Sequence, residues 1–75
     1  MSLAQECTNW IRDLFHAYNG RMSVVEWKRY HKDFTSVWGK DLIAKQMQTL
    51  IKDRYIVHDH ITDEYVWGPV GGPIK

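Results

Sequence analysis

Apolar residues recur at steps of three and four through the first part of the chain. The positions are Leu3, Cys7, Trp10, Ile11, Leu14, Phe15 and Tyr18. This spacing places all of them on one face of an α-helix. Asn19 and Gly20 follow, and both residue types tolerate a left-handed backbone, so the first helix is predicted to end there.

A second helix is predicted to begin near Val24, because Ser23 and Glu26 have the spacing of a capping box. Its inner face would carry Val24, Trp27, Tyr30 or His31, and Phe34, and its outer face Lys28, Arg29 and Lys32. The segment from Thr35 to Gly39 breaks this pattern with small polar residues and a glycine. We interpret it as a tight connection in which Trp38 turns inward.

A third helix is predicted from Lys40 to Asp53. Its inner stripe would be Ile43, Met47, Leu50 and Ile51. The residues left to face outward are Lys40, Asp41, Ala44, Lys45, Gln48 and Lys52.

The chain then becomes rich in β-branched and aromatic residues, which favour strands. Tyr55–His58 and Tyr65–Trp67 are the predicted strands, and the polar residues between them suit a turn. The expected class is therefore α+β, with three helices followed by a two-stranded hairpin. We expect one domain over residues 1–68 and a flexible tail over residues 69–75, where glycine and proline are frequent.

This order of elements resembles the winged helix-turn-helix superfamily. Ile43, Met47 and Leu50 lie where that family keeps the apolar stripe of its recognition helix, and Tyr55-Ile56 lies where its wing opens. The resemblance implies that the third helix enters the major groove of DNA and that the hairpin is the wing.

A second, partial resemblance is to the DEP-type winged helices, which act at membranes and in signalling assemblies. Val24–Trp27 resembles their "LVDW" element, and Met47–Ile56 resembles their final helix and following strand. Their arm between the first two helices is absent, since the segment from Asn19 to Met22 is too short for it.

Charge is unevenly distributed, although the net charge of the 75 residues is only +1. Residues 21–54 hold eight basic and four acidic residues, whereas both ends of the chain are acidic. With the resemblance, this predicts a transcription or replication regulator that binds double-stranded DNA, and that forms a homodimer or joins a larger assembly to reach useful affinity. The expected DNA-binding residues are Lys28, Arg29, Lys32, Lys40, Lys45, Gln48 and Lys52. The alternative left open is that these side chains are the solvated faces of amphipathic helices.

The predicted wing favours a different function. Asp59, Asp63 and Glu64 would face phosphates if the wing followed a DNA groove, and like charges repel. A protein-interaction module, such as an adaptor or an inhibitor of a larger machine, is therefore the alternative. Its apolar anchors would be the exposed side chains of Ile61, Tyr65 and Trp67.

Other chemistry has little support in the sequence. Cys7 is the only cysteine, so no intramolecular disulfide can form, and we expect a cytoplasmic protein, or a nuclear one in a eukaryote. No apolar run is long enough to span a bilayer. His58 and His60 alternate as two zinc ligands would, but spacing fixes no third ligand. We expect no metal, no cofactor and no enzymatic activity, since no nucleophile and base pair or phosphate loop stands out.

Overall fold

The computed structural model describes residues 2–68, which fold into four helices and one three-stranded antiparallel sheet. The elements are α1 (Leu3–Ala17), β1 (Arg21–Ser23), α2 (Val24–Asp33), α3 (Thr35–Trp38), α4 (Lys40–Lys52), β2 (Ile56–Asp59) and β3 (Glu64–Trp67). The predicted α+β class is confirmed. The predicted tail, residues 69–75, lies outside the described residues.

Helix α1 ends two residues before Asn19-Gly20, the pair at which the sequence predicts its end. The hydroxyl of Ser2 accepts a hydrogen bond from the Gln5 amide at 3.1 Å, which caps the first turn. After α1, Asn19 and Gly20 adopt positive φ angles of 58° and 86°, and the Gly20 amide donates to the Phe15 carbonyl at 2.8 Å. This left-handed pair closes the helix.

The sheet has one strand more than the predicted two-stranded hairpin, so that prediction is wrong in this detail. Strand β1 pairs with β3 in antiparallel register, with Met22 opposite Tyr65, and the strand order is β1-β3-β2. A three-residue strand is too short to show a hydrophobic period. Its backbone partner also lies at the far end of the chain, where sequence periodicity gives no information about pairing.

The predicted tight connection between the second and third helices is also wrong in part, because Thr35–Trp38 forms the single helical turn α3. Trp38 is half-buried and packs against Trp10, with ring centroids 6.0 Å apart. Gly39 then has a φ of 94°, a conformation that favours glycine, and this residue separates α3 from α4.

Helix α2 is held by contacts at its start and along its inner face. At its start, the Ser23 hydroxyl accepts from the Glu26 amide at 3.1 Å, which is the serine half of the predicted capping box. On its inner face the Tyr18 hydroxyl donates to Glu26 at 3.0 Å and lies 2.8 Å from the Tyr30 hydroxyl. The hydrogen bond with Tyr30, burial and Glu26 together raise the pKa of Tyr18. These contacts fix the orientation of α2 against α1.

The core lies between the helices and one face of the sheet. Within residues 2–68 its buried members are Cys7, Ile11, Phe15, Met22, Trp27, Ile43, Met47, Leu50 and Ile56. Every helix except α3 contributes to it, and so do β1 and β2. With the inner faces of α2 and α4 used in this way, their polar faces are left toward solvent.

Arg21 joins the three strands through two carboxylates. Its Nη2 lies 2.7 Å from Asp59 Oδ2 on β2, and its Nε lies 3.0 Å from Glu64 Oε1 on β3. Asp59 also accepts from the amides of Ile61 and Thr62, at 3.0 and 3.4 Å. The two amides and then Arg21 lower the pKa of Asp59.

We expect this lowered pKa to make the fold less stable in acid. The stabilisation by ionised Asp59 is fully present above the ordinary pKa of an aspartate, about 4, and is lost as the pH falls through the lowered value. Asp59→Asn keeps an acceptor oxygen for the turn but carries no charge. In urea titrations, the difference in unfolding free energy between the wild type and this variant should be largest at neutral pH and should shrink below about pH 4. A difference that stays constant with pH would contradict this role for Asp59.

Candidate nucleic-acid interface

All seven residues predicted to bind DNA lie on two helices and point outward. Lys28, Arg29 and Lys32 are on α2, and Lys40, Lys45, Gln48 and Lys52 are on α4. All seven are exposed, so their predicted outward orientation is confirmed. Ala44 is exposed beside them on α4.

Within residues 2–68, the basic side chains of this set form no ion pair. In the part of the chain that the structure describes, ion pairs join Arg12 to Asp13, Arg21 to Asp59 and Glu64, and His58 to Asp63. None of these pairs includes a basic residue of α2 or α4. The ammonium and guanidinium groups on these helices are therefore available to an external anion.

Three of the predicted lysines come together in a cleft where α2, α3 and α4 meet. The cleft has a volume of about 300 Å³, and the described residues that line it are Lys28, His31, Lys32, Thr35 and Lys40. None of these five is acidic. Lys28 and Lys32 are one helical turn apart on α2, and Lys40 is the first residue of α4. Arg29, Lys45, Gln48 and Lys52 do not line the cleft.

Two residues that were not predicted to be functional fix the helices around this cleft. His31 Nε2 lies 3.1 Å from the Lys40 carbonyl, to which it donates in the tautomer protonated at Nε2. The Thr35 hydroxyl donates to the His31 carbonyl at 2.7 Å, and the His31 ring stacks on Trp27 with centroids 6.2 Å apart. The end of α2 is thereby fixed to the start of α4.

The start of α4 adds partial positive charge to the same region. Gly39 has no side chain, and no described side chain caps the first turn of α4. The first amides of a helix are unpaired and carry the positive end of the helix dipole. Asp41, in that first turn, offsets part of this charge.

The three acidic residues of the hairpin contact side chains that belong to the sheet. Asp59 and Glu64 contact Arg21, and Asp63 Oδ1 lies 2.9 Å from His58 Nε2. Arg21 therefore balances part of the negative charge that was expected to repel phosphates. The sequence-based objection to a duplex partner is correspondingly weaker.

The three apolar residues predicted as protein anchors differ in exposure. Ile61 at the hairpin tip is 96% exposed, as expected. Tyr65 and Trp67 are half-buried, so the expectation that they are exposed is wrong. Both belong to β3, the central strand, and the Trp67 ring lies 6.1 Å from that of Phe15. Of these three residues, Ile61 alone presents its whole side chain to a partner.

The histidine pair and the cysteine have local explanations. The rings of His58 and His60 lie edge to face with centroids 4.4 Å apart. Within residues 2–68, no group of three or more His, Cys, Asp or Glu side chains is arranged to hold a metal ion. Cys7 is fully buried in α1, and burial raises the pKa of its thiol, as expected for an unreactive cysteine.

Comparison of the chain with protein-family models, with curated proteins and with solved structures gives no match. Among the described helices, none combines the length and the apolar character that a membrane crossing requires.

Proposed function

We propose that this protein binds double-stranded DNA through the outward faces of α2 and α4 and acts as a small winged-helix regulator of transcription or replication. The observation that carries the proposal is that Lys28, Lys32 and Lys40, from two helices, line one cleft whose described lining residues include no carboxylate.

The order of elements supports the winged-helix interpretation. A helix, a short strand, two further helices and a hairpin follow one another, and the first strand pairs with the last. In this interpretation α4 is the recognition helix, α3 forms the turn before it, and the β2–β3 hairpin is the wing. The cytoplasm or the nucleus would be the location of such a protein.

The side chains on α4 suit contacts in the major groove. Lys45, Gln48 and Lys52 are exposed, and the amide of Gln48 offers both a donor and an acceptor to a base edge, a match for adenine. On α2, Lys28 and Arg29 suit phosphate contacts, which supply affinity through counterion release and set the register on the duplex. Because a domain of this size offers only a small surface to DNA, we expect two copies of the protein to bind one duplex together.

A salt titration tests this function. Fluorescence anisotropy with a labelled duplex should give binding that weakens with rising salt, with a log–log slope that approaches roughly −5 if all six basic residues contact phosphates. Absence of binding at low ionic strength, or affinity that does not change with salt, would end the proposal.

The second candidate function is a protein-interaction module, either a DEP-like adaptor or an inhibitor. The observation in its favour is Ile61, which is 96% exposed at the tip of the hairpin. An apolar side chain at this position suits an anchor that a partner's pocket would bury. The same titration separates the two candidates, because a module that recognises proteins gives no reason for salt-dependent duplex binding.

A further inference from the structure

The cleft between α2, α3 and α4 can accept an anion of higher charge than a single DNA phosphodiester. A phosphodiester in a nucleic-acid strand has a single negative charge, whereas three lysines, Lys28, Lys32 and Lys40, line this one cleft. The described residues that line it contain no carboxylate to offset this charge. A ligand of higher charge density would match the cleft better.

We propose that this cleft binds a phosphate monoester, either the terminal 5′-phosphate of a nucleic-acid strand or the phosphate of a free nucleotide. A monoester carries a charge of about −1.5 to −2 at neutral pH and has three strong acceptor oxygens. Three lysines can each donate to one of these oxygens. The inference goes beyond the proposed function, because a monoester can occupy the cleft without a duplex.

The surrounding contacts make this cleft a fixed feature of the fold. His31 and Thr35 use their polar atoms to bind the backbone, at 3.1 and 2.7 Å, and so they hold the helices that carry the lysines. Lys40 stands at the positive end of the α4 dipole, which favours an anion nearby and which Asp41 offsets in part. The cleft, with a volume of about 300 Å³, has room for a phosphate group.

Methyl phosphate and dimethyl phosphate are the probes that test the monoester preference. Titrations followed by backbone amide NMR shifts, at constant ionic strength, should show methyl phosphate binding roughly tenfold more tightly than the diester. Lys28→Gln, Lys32→Gln and Lys40→Gln should each weaken methyl phosphate binding by about tenfold. Lys45→Gln is the matched control, since Lys45 is exposed on α4 but does not line the cleft, and it should leave binding unchanged.

Equal affinity for the two probes, no binding of methyl phosphate, or an equal weakening in Lys45→Gln would overturn the inference. Circular dichroism spectra identical to the wild type would show that each variant is folded. Both proposals use the same cleft, but the titrations distinguish their failures: absence of methyl phosphate binding contradicts this inference alone, and absence of binding to a duplex with 5′-hydroxyls contradicts the DNA proposal alone.

Two further ligands distinguish the source of the monoester. A short duplex with 5′-phosphates should bind more tightly than the same duplex with 5′-hydroxyls if strand ends are the ligand, and Lys28→Gln should remove the difference. Adenosine monophosphate should bind through the same lysines if free nucleotides are the ligand. If neither the phosphorylated end nor the nucleotide binds through the cleft, the inference is wrong.

Discussion

Replacing Arg29, Lys45 and Lys52 together with glutamine is expected to weaken duplex binding by about a thousandfold at roughly 0.1 M salt. Each phosphate contact contributes roughly tenfold to the affinity at this salt concentration through the counterions it releases. The three side chains are exposed, make no ion pair with a described residue, and lie outside the cleft, so phosphate monoester binding should persist. Glutamine has nearly the same helix propensity as lysine and arginine, so the fold should be retained.

The measurement is a series of anisotropy titrations across salt concentrations for the wild type and the triple variant. The log–log slope should become less steep by about 3, roughly one unit for each basic side chain replaced. Arg12→Gln is the control, because Arg12 is exposed on α1 and paired with Asp13. A triple variant with wild-type affinity and slope would show that the duplex binds elsewhere on the protein.

Phe15→Ala is expected to lower the free energy of unfolding by about 3–5 kcal/mol. Phe15 is fully buried, and its ring lies 6.5 Å from Trp27 and 6.1 Å from Trp67, so its removal leaves a cavity between α1, α2 and the sheet. Domains have a total stability of about 5–15 kcal/mol, and one this small is expected near the lower end of that range. The variant should therefore be partly unfolded even in the absence of denaturant.

Urea denaturation followed by tryptophan fluorescence measures this destabilisation. Leu3→Ala is the matched control in the same helix, since Leu3 is 56% exposed, and it should change the stability by less than about 0.5 kcal/mol. Similar midpoints for Phe15→Ala and Leu3→Ala would show that α1 does not pack as described.

The helices could be predicted from sequence because their signals are local. Cys7, Ile11 and Phe15 repeat at the helical period, and a serine caps α1 and α2 in turn. β1 could not be predicted in this way, because Arg21–Ser23 becomes a strand only through backbone bonds to β3. The single turn α3 is equally short, and its serine and threonine favour a turn as readily as a helix.

In the candidate site, too, the local features could be predicted and the contacts between distant residues could not. Helical periodicity was enough to place Lys28 and Lys32 on the outer face of α2. Their meeting with Lys40 depends on the angle between α2 and α4, which follows from the positive φ of Gly39 and the contact between His31 and the Lys40 carbonyl. The exposure expected for Trp67 was wrong for a related reason, since its environment depends on the position of Phe15 in α1.

Strand β1 continues into α2 without an intervening residue, and the Val24 amide donates to the Asp63 carbonyl at 3.1 Å. Helix α2 and the β2–β3 hairpin are consequently held in a fixed relative orientation. Because α2 follows β1 directly, a change in the orientation of α2 would disturb the pairing of β1 with β3. Recognition by this protein should accordingly resemble the docking of a preformed surface, with little entropy lost in ordering it.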